Sequence, residues 1–229
     1  MTPKAAIYHF TDGSEKRPIV YETQIKTLGE FAESRGFDVV AVFCDKSLRR
    51  CDRHEFDRLT ENCEQYDVLI VKDFYHLSKN TKKCMEIMKG FREKGISIYS
   101  VENGIFIFEE EPFDKPLKVV TYNSRFGEAD PQKQIVTIQN DTMKLFTKLK
   151  TNWSVKDQFF DEGLIQNDGA QINLHRIIEQ KEDYDLLLVP NLTDVHWRTS
   201  NFCKIREALQ MDIYSLQDGF LKYRREKGI

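Results

Sequence analysis

Three acidic residues each follow a short apolar run. Asp12 comes after Ala5–Phe10, Asp45 after Val39–Phe43, and Asp73 after Val68–Val71. Carboxylates gathered at one edge could hold Mg²⁺ for phosphoryl transfer. The same stretches carry cations: Arg49, Arg50 and Arg53 after the second run, and His76, Lys79, Lys82 and Lys83 after the third. Brought together, these side chains would make a patch able to hold an anion or a nucleic-acid backbone; dispersed, they are ordinary mixed surface. Cys44 or Cys51 beside His76 would form a Cys–His nucleophile pair, with a buried, inert thiol as the plainer reading. The histidines (9, 54, 76, 175 and 196) do not pair at metal-ligand spacing, so no cofactor and no dedicated metal site is expected. Trp153 and Trp197 read as packing residues.

Composition narrows the class. The 229 residues hold 40% hydrophobic side chains, enough for a core, and 34 basic against 37 acidic residues, net −3. That excludes a polycation binding mainly through charge, and a highly charged disordered chain. Residues 1–114 carry 17 basic and 21 acidic side chains, and 115–229 carry 17 and 16. Neither half has the basic excess of a DNA-binding domain. No run of 18 apolar residues is present, and Met1–Lys4 begins no secretory leader. Five cysteines without a Cys-x-x-Cys pair fit a reducing compartment, so a cytoplasmic protein without membrane contact is expected.

The elements that must position these residues come twice. Tyr66-Asp67-Val68-Leu69-Ile70-Val71 matches Tyr184-Asp185-Leu186-Leu187-Leu188-Val189. Ile98-Tyr99-Ser100-Val101-Glu102-Asn103-Gly104 matches Ile213-Tyr214-Ser215-Leu216-Gln217-Asp218-Gly219, and Phe43-Cys44-Asp45 matches Phe159-Phe160-Asp161. With Tyr8 against Tyr122, the offset stays near 114–118 residues. This predicts two lobes, 1–108 and 117–229, joined by the charged, proline-bearing linker 109–116. In the first lobe, strands over Ala5–Phe10, Asp38–Phe43, Val68–Val71 and Ile96–Val101 alternate with helices over Tyr21–Arg35, Asp52–Cys63 and Lys79–Arg92. Gly36 stops the first helix and Asp52 caps the second. The second lobe repeats the series with strands over Val119–Tyr122, Val155–Phe160, Asp185–Val189 and Ile213–Leu216. Its helices fall over Gln134–Leu149, Asn173–Gln180 and Ser200–Leu209. Each lobe is therefore an α/β unit with a mainly parallel sheet of at least four strands flanked by helices, and ligands belong at the carboxyl ends of its strands.

The first lobe resembles the catalytic domain of the serine recombinases, the resolvase/invertase group. The likeness is carried by Ile7-Tyr8, Gln24 with Leu28, Phe43-x-Asp45-Lys46, Asp52-Arg53 and, above all, Lys72-Asp73-Phe74-Tyr75-His76-Leu77-Ser78-Lys79-Asn80-Thr81. It implies two tandem resolvase-like lobes, packed as an internal pseudo-dimer. The family opens with Tyr-x-Arg-x-Ser, its serine attacking a DNA phosphodiester. Alignment on Tyr8 puts Phe10 at the arginine and Asp12 at the serine. A one-residue slip offers His9 and Thr11. The family's Asp-Arg-Leu-x-Arg becomes Tyr75-His76-Leu77-Ser78-Lys79, leaving Arg53 as the arginine that stands where the family has one. The second lobe opens with Tyr122-Asn123-Ser124-Arg125-Phe126, its arginine one place late.

These departures matter because attack on a phosphodiester needs an activated hydroxyl and fixed cations around phosphorus. Arginine supplies a planar, bidentate, permanent charge that neither His nor Lys reproduces. The vestigial positions Tyr8, Asp12, Arg53, His76 and Lys79 thus imply a non-catalytic binding or regulatory protein, a pseudoenzyme linked to DNA recombination or a mobile element. Its partner would be another recombinase-like protein or, weakly, DNA. Only Leu221–Ile229 follow the repeated part of the second lobe, so neither the family's long dimerisation helix nor its helix-turn-helix reader is expected. The alternative is an active DNA-processing enzyme: a divergent recombinase, or a Mg²⁺ enzyme using Asp12, Asp45 and Asp73.

Overall fold

A computed structural model of the protein describes residues 2–11, 18–46, 53–109, 115–126, 134–163 and 171–223. The chain divides into two compact units, Met1–Ile105 and Phe106–Ile229.

In the first unit, β1 (Lys4–Thr11), β2 (Asp38–Lys46), β3 (Val68–Val71), β4 (Ser97–Ser100) and β5 (Gly104–Ile105) form one sheet in the order β2-β1-β3-β4-β5. The first four run parallel and β5 turns back antiparallel on β4. Between them lie α1 (Pro18–Ser34), α2 (His54–Glu61) and α3 (Thr81–Glu93). Strand alternation sorts the side chains of β1 to opposite faces. Ala5 and Ile7 pack with Leu28 and Ala32 of α1 and with Val68 and Ile70 of β3. Tyr8 turns the other way, against Phe56 of α2 at a ring separation of 5.0 Å. Gly36 ends α1 as expected: at φ 71° it lets the Phe37 N–H reach back to the Ala32 carbonyl and its own N–H to Glu33.

The second unit holds β6 (Ile107–Glu109), β7 (Leu117–Phe126), β8 (Trp153–Gly163), β9 (Leu186–Val189), β10 (Asp212–Ser215) and β11 (Gly219–Lys222), with α4 (Gln134–Lys148), α5 (Ile172–Glu179), α6 (Leu192–Val195) and α7 (Thr199–Leu209). Its sheet order is β6-β11-β10-β9-β7-β8. Read from the other edge, β8-β7-β9-β10-β11 repeats the order of the first sheet, and β6 is an addition. The likeness extends to register: each edge pair carries one irregularity, at Ala5/Ala6 and at Val119/Val120.

Local contacts repeat too. Asp67 accepts the Lys4 N–H and Asp185 accepts the Lys118 N–H, at 2.8 and 2.7 Å. Ser100 and Ser215 each accept, through Oγ, the amide three residues on, from Asn103 and Asp218. Those two side chains in turn accept the N–H of Phe74 and of Leu192, in the segments that follow β3 and β9. A serine, then an Asn or Asp three places later, ties the fourth strand to the exit of the third in both units.

The structure corrects several boundaries. Residues 106–108, expected in the first lobe, lie in the second unit, where Ile107–Glu109 pairs antiparallel with β11. The linker expected at 109–116 thus starts inside a strand, and 110–114 lie outside the described residues. The strand expected over Val119–Tyr122 runs Leu117–Phe126, because buried polar residues such as Asn123 and Ser124 extend it past the apolar run. The helix expected from Lys79 starts at Thr81, capped by the Asn80 side chain, which accepts the Lys83 N–H.

Candidate functional site at the carboxyl edge

The carboxyl ends of β1, β2 and β3 meet around the Tyr8 hydroxyl. Tyr8 is fully buried, and its O–H donates to Asp45 Oδ2 at 3.1 Å. Burial, opposed by the Arg53 charge, pushes the Tyr8 hydroxyl pKa well above its ordinary value, so it stays protonated. Asp45, at the end of β2, also accepts the N–H groups of Glu55 and Phe56 at 3.0 Å each. It therefore caps α2 from a neighbouring strand. The cap was expected from Asp52, which lies outside the described residues; the residue at the N-cap position is Arg53, whose side chain makes no cap.

Arg53 turns inward instead. Its Nε and Nη2 donate to the Tyr8 hydroxyl at 3.1 and 3.0 Å. Nη1 donates to the Leu77 carbonyl at 2.6 Å and Nη2 to the His76 carbonyl at 3.1 Å. The guanidinium lies 4.0 Å from the centre of the Phe56 ring. Four hydrogen bonds and an aromatic face fix it as a clamp between β1, α2 and the segment after β3.

That segment is a single 3₁₀ turn, Phe74–His76, whose first amide groups are held by Asp73. The Asp73 carboxylate accepts the His76 N–H at 3.2 Å and lies 3.3 Å from His76 Nδ1. Burial raises the Asp73 pKa, but His76 and the amides of Tyr75 and His76 outweigh it, and the net shift is downward. The His76 ring also lies 5.3 Å from that of buried His9. His76 is thus half-buried within the unit. Lys79, Lys82 and Lys83 are exposed, Lys79 with its ammonium 5.3 Å from the Tyr75 ring centre.

The structure therefore divides the expected cationic patch. Arg53 and His76 are engaged inside, Lys79, Lys82 and Lys83 lie at the surface, and Arg49 and Arg50 fall outside the described residues. Asp12, Cys51 and Ser14 also fall outside them. The expected Mg²⁺ set is not assembled from Asp45 and Asp73, because each carboxylate caps a helical turn. Among the described residues no group of three His, Cys, Asp or Glu side chains could hold a metal ion. Cys44 is half-buried on β2, in register with His9.

The second unit builds the same arrangement with one change. Tyr122, fully buried, donates to Asp161 Oδ2 at 3.1 Å, and Asp161 accepts the N–H groups of Asn173 and Leu174 at the start of α5. The N-cap position is Gln171. Its Nε2 donates to the Tyr122 hydroxyl at 3.5 Å and to the Val195 carbonyl at 2.6 Å. Gln171 is the residue that sequence reading missed. It precedes its helix as Arg53 does, but ten residues after Asp161, where Arg53 comes eight after Asp45. Ser124, in the strand that opens this unit, is buried, and its Oγ donates to the Asp194 carbonyl at 2.5 Å. In the exit after β9, the His196 and Trp197 rings stack, and exposed Arg198 lies over Trp197.

Residues 14–122 match the family described as Resolvase, N terminal domain. That stretch, just under half of the chain, is thus similar in sequence to a resolvase-like serine recombinase domain. No curated protein matches the chain. Among solved structures, the N-terminal catalytic domain of TP901-1 integrase is similar at 17% identity, over 64% of this chain and 98% of that one, with a TM-score of 0.39. The C-terminal catalytic domain of ISC1926 TnpA, an IS607-like serine recombinase, is similar at 20% identity, over 64% and 82%, TM-score 0.37. A resolvase family site-specific recombinase from Streptococcus pneumoniae is similar at 13% identity, over 66% and 93%, TM-score 0.40.

Proposed function

We propose that this protein is a non-catalytic, recombination-linked binding protein built from two copies of a resolvase-like domain. The observation that carries this reading is the use of Arg53. A phosphate-holding arginine must aim its donors at the position where substrate charge develops. Four hydrogen bonds of Arg53 go instead to Tyr8, His76 and Leu77 of its own unit. In the second copy the position is Gln171, which keeps the packing role and carries no charge. Duplication is supported by the shared strand order and by the repeated Asp67/Asp185 and Ser100/Ser215 contacts. The partner is another recombinase-like protein or, weakly, DNA. The competing Mg²⁺ enzyme is disfavoured because Asp45 already accepts two amides and a hydroxyl.

The test is incubation of purified protein with supercoiled plasmid, with and without Mg²⁺. The expected result is neither nicking nor a covalent protein–DNA adduct. Cleavage abolished by Thr11→Ala or Ser14→Ala would overturn the reading, since it would place a working nucleophile one or two residues from the aligned position.

A further inference from the structure

Helix α4 has two unlike faces. Met143 and Thr147 are buried inward, and Met143 packs in the core with Val119 and Leu188. On the outer side Ile138, Leu145 and, in the turn that follows the helix, Leu149 are 64%, 63% and 79% exposed. With exposed Thr142 they stand four, three and four residues apart, which places all four on one line along the helix. The corresponding helix of the first unit, α1, shows Glu22, Lys26, Glu30 and Glu33 on its exposed side, with Lys26 and Glu30 paired at 3.6 Å. An outer face that is charged in one copy of the fold is aliphatic in the other. Isolated exposed leucines need no explanation, but three large aliphatics in one line, broken only by Thr142, point to a contact.

We propose that this line is a self-association surface, on which a second copy of the chain lays its own α4 antiparallel. Charge selects that occupant. Asp141, Lys144 and Lys148 lie on one flank of the line, Asp141 and Lys144 3.9 Å apart and both exposed. Across a two-fold axis between Thr142 and Leu145, Ile138 of each copy faces Leu149 of the other, and Thr142 faces Leu145. The same operation puts each Asp141 between Lys144 and Lys148 of the partner. A parallel pairing would turn this flank toward the opposite flank of the partner and leave Asp141 with no lysine across the contact. An isologous antiparallel contact is thus complementary in both shape class and charge. A surface this small belongs with weak interfaces, so the dimer forms at concentrations of about 10–100 μM.

Sedimentation velocity of the full chain from about 1 to 300 μM, in about 150 mM salt, tests this. The wild type shifts from monomer to dimer across that range. Leu145→Lys stays monomeric, its dissociation constant raised at least about 30-fold, with unchanged far-ultraviolet circular dichroism because the site is exposed. Lys148→Glu sets an acid against the partner's Asp141 and weakens the dimer several-fold. Reversing the whole flank, Asp141→Lys with Lys144→Glu and Lys148→Glu, restores it. A wild type that stays monomeric, a dimer that survives Leu145→Lys, or a dimer indifferent to Lys148→Glu overturns the proposal. So does flotation of a monomer with anionic phosphatidylserine vesicles in place of self-association.

Discussion

Arg53 and Gln171 do the same mechanical work in their respective units. Each stands at the N-cap position of a helix whose first amides are held by an aspartate from the neighbouring strand. Each donates to the hydroxyl of a buried tyrosine, Tyr8 or Tyr122, and to a backbone carbonyl beyond the third parallel strand. A guanidinium and an amide are interchangeable here only if the role is to tie strand, helix and loop together. Charge toward a substrate is not preserved between them.

Removal of that tie is costly. Arg53→Ala leaves the Tyr8 hydroxyl and the carbonyls of His76 and Leu77 without their donors and opens space over Phe56. The expected loss is about 2–4 kcal/mol of stability, read as a lower urea midpoint. Arg53→Gln, the solution used in the second unit, should recover at least half of that. If the two variants unfold alike, the inward hydrogen bonds contribute little and the clamp reading fails.

A buried carboxyl in the second unit makes stability depend on pH. Asp194 has its pKa raised from 3.8 to about 7, first by burial and further by the Asp218 charge, against the lowering effect of the Asn191 and Ser124 amides. A carboxyl raised on folding holds its proton in the native state over a range where the unfolded chain has lost it. Stability contributed this way is complete below about pH 4 and declines as pH rises toward 7. Asp194→Asn keeps an oxygen to accept the Asn191 N–H, as Asp194 does at 3.0 Å, and removes the titration. The difference in urea midpoint between variant and wild type should therefore grow in the variant's favour from pH 4.5 to pH 8. A difference that is flat over this range refutes the assignment.

Much of this architecture was legible in the sequence, and the failures have physical causes. Continuous apolar runs such as Val68–Val71 and Leu186–Val189 announce strands covered on both faces, and they are wholly buried. Gly36 and the matched Ser-x-x-Asn and Ser-x-x-Asp segments mark local backbone requirements, and local requirements are written locally. Asp45 was visible as an acid after a strand, but its partners are amides 10 and 11 residues on, brought back by the chain's turn. Three hydrogen bonds to one carboxylate make a cap, and nothing in its spacing separates that from a metal ligand. Strand β6 is short and follows Phe106, so only its pairing with β11 assigns it to the second sheet.

The surface lysines give a bound on DNA affinity. Lys79, Lys82 and Lys83 are exposed near the start of α3, while Arg53 and His76 are occupied within the fold. Three exposed ammonium groups on a chain of net charge −3 give few phosphate contacts. The expected dissociation constant for duplex DNA is above about 1 μM at about 150 mM salt, by fluorescence anisotropy. Replacing all three lysines by Glu should lower the slope of log affinity against log salt by about 3. Sub-micromolar binding with a steep salt slope would mean that a larger basic surface, including Arg49 and Arg50, is at work.

Restoration of a hydroxyl is the sharpest test of the proposed absence of strand cleavage. By the alignment on Tyr8, Asp12→Ser would place a serine at the family's nucleophile position and remove an acid that repels a DNA phosphate. A serine alone does not make the reaction run, because the pentacovalent phosphorus needs fixed cations on several sides. Phe10 stands at one arginine position and is buried at 5% exposure. His76 stands at a second and is held by Asp73, and Lys79 stands at the third with no fork to offer. Each missing donor costs about 10²–10³ in rate, so three together leave cleavage undetectable. Asp12→Ser on supercoiled plasmid should therefore match wild type, with no nick and no covalent adduct on a denaturing gel. Adding Phe10→Arg, His76→Arg and Lys79→Arg to the same chain supplies the missing charges. If Asp12→Ser alone cuts DNA, then Arg53 or another cation is free to serve phosphate, and the inward clamp is not its resting role.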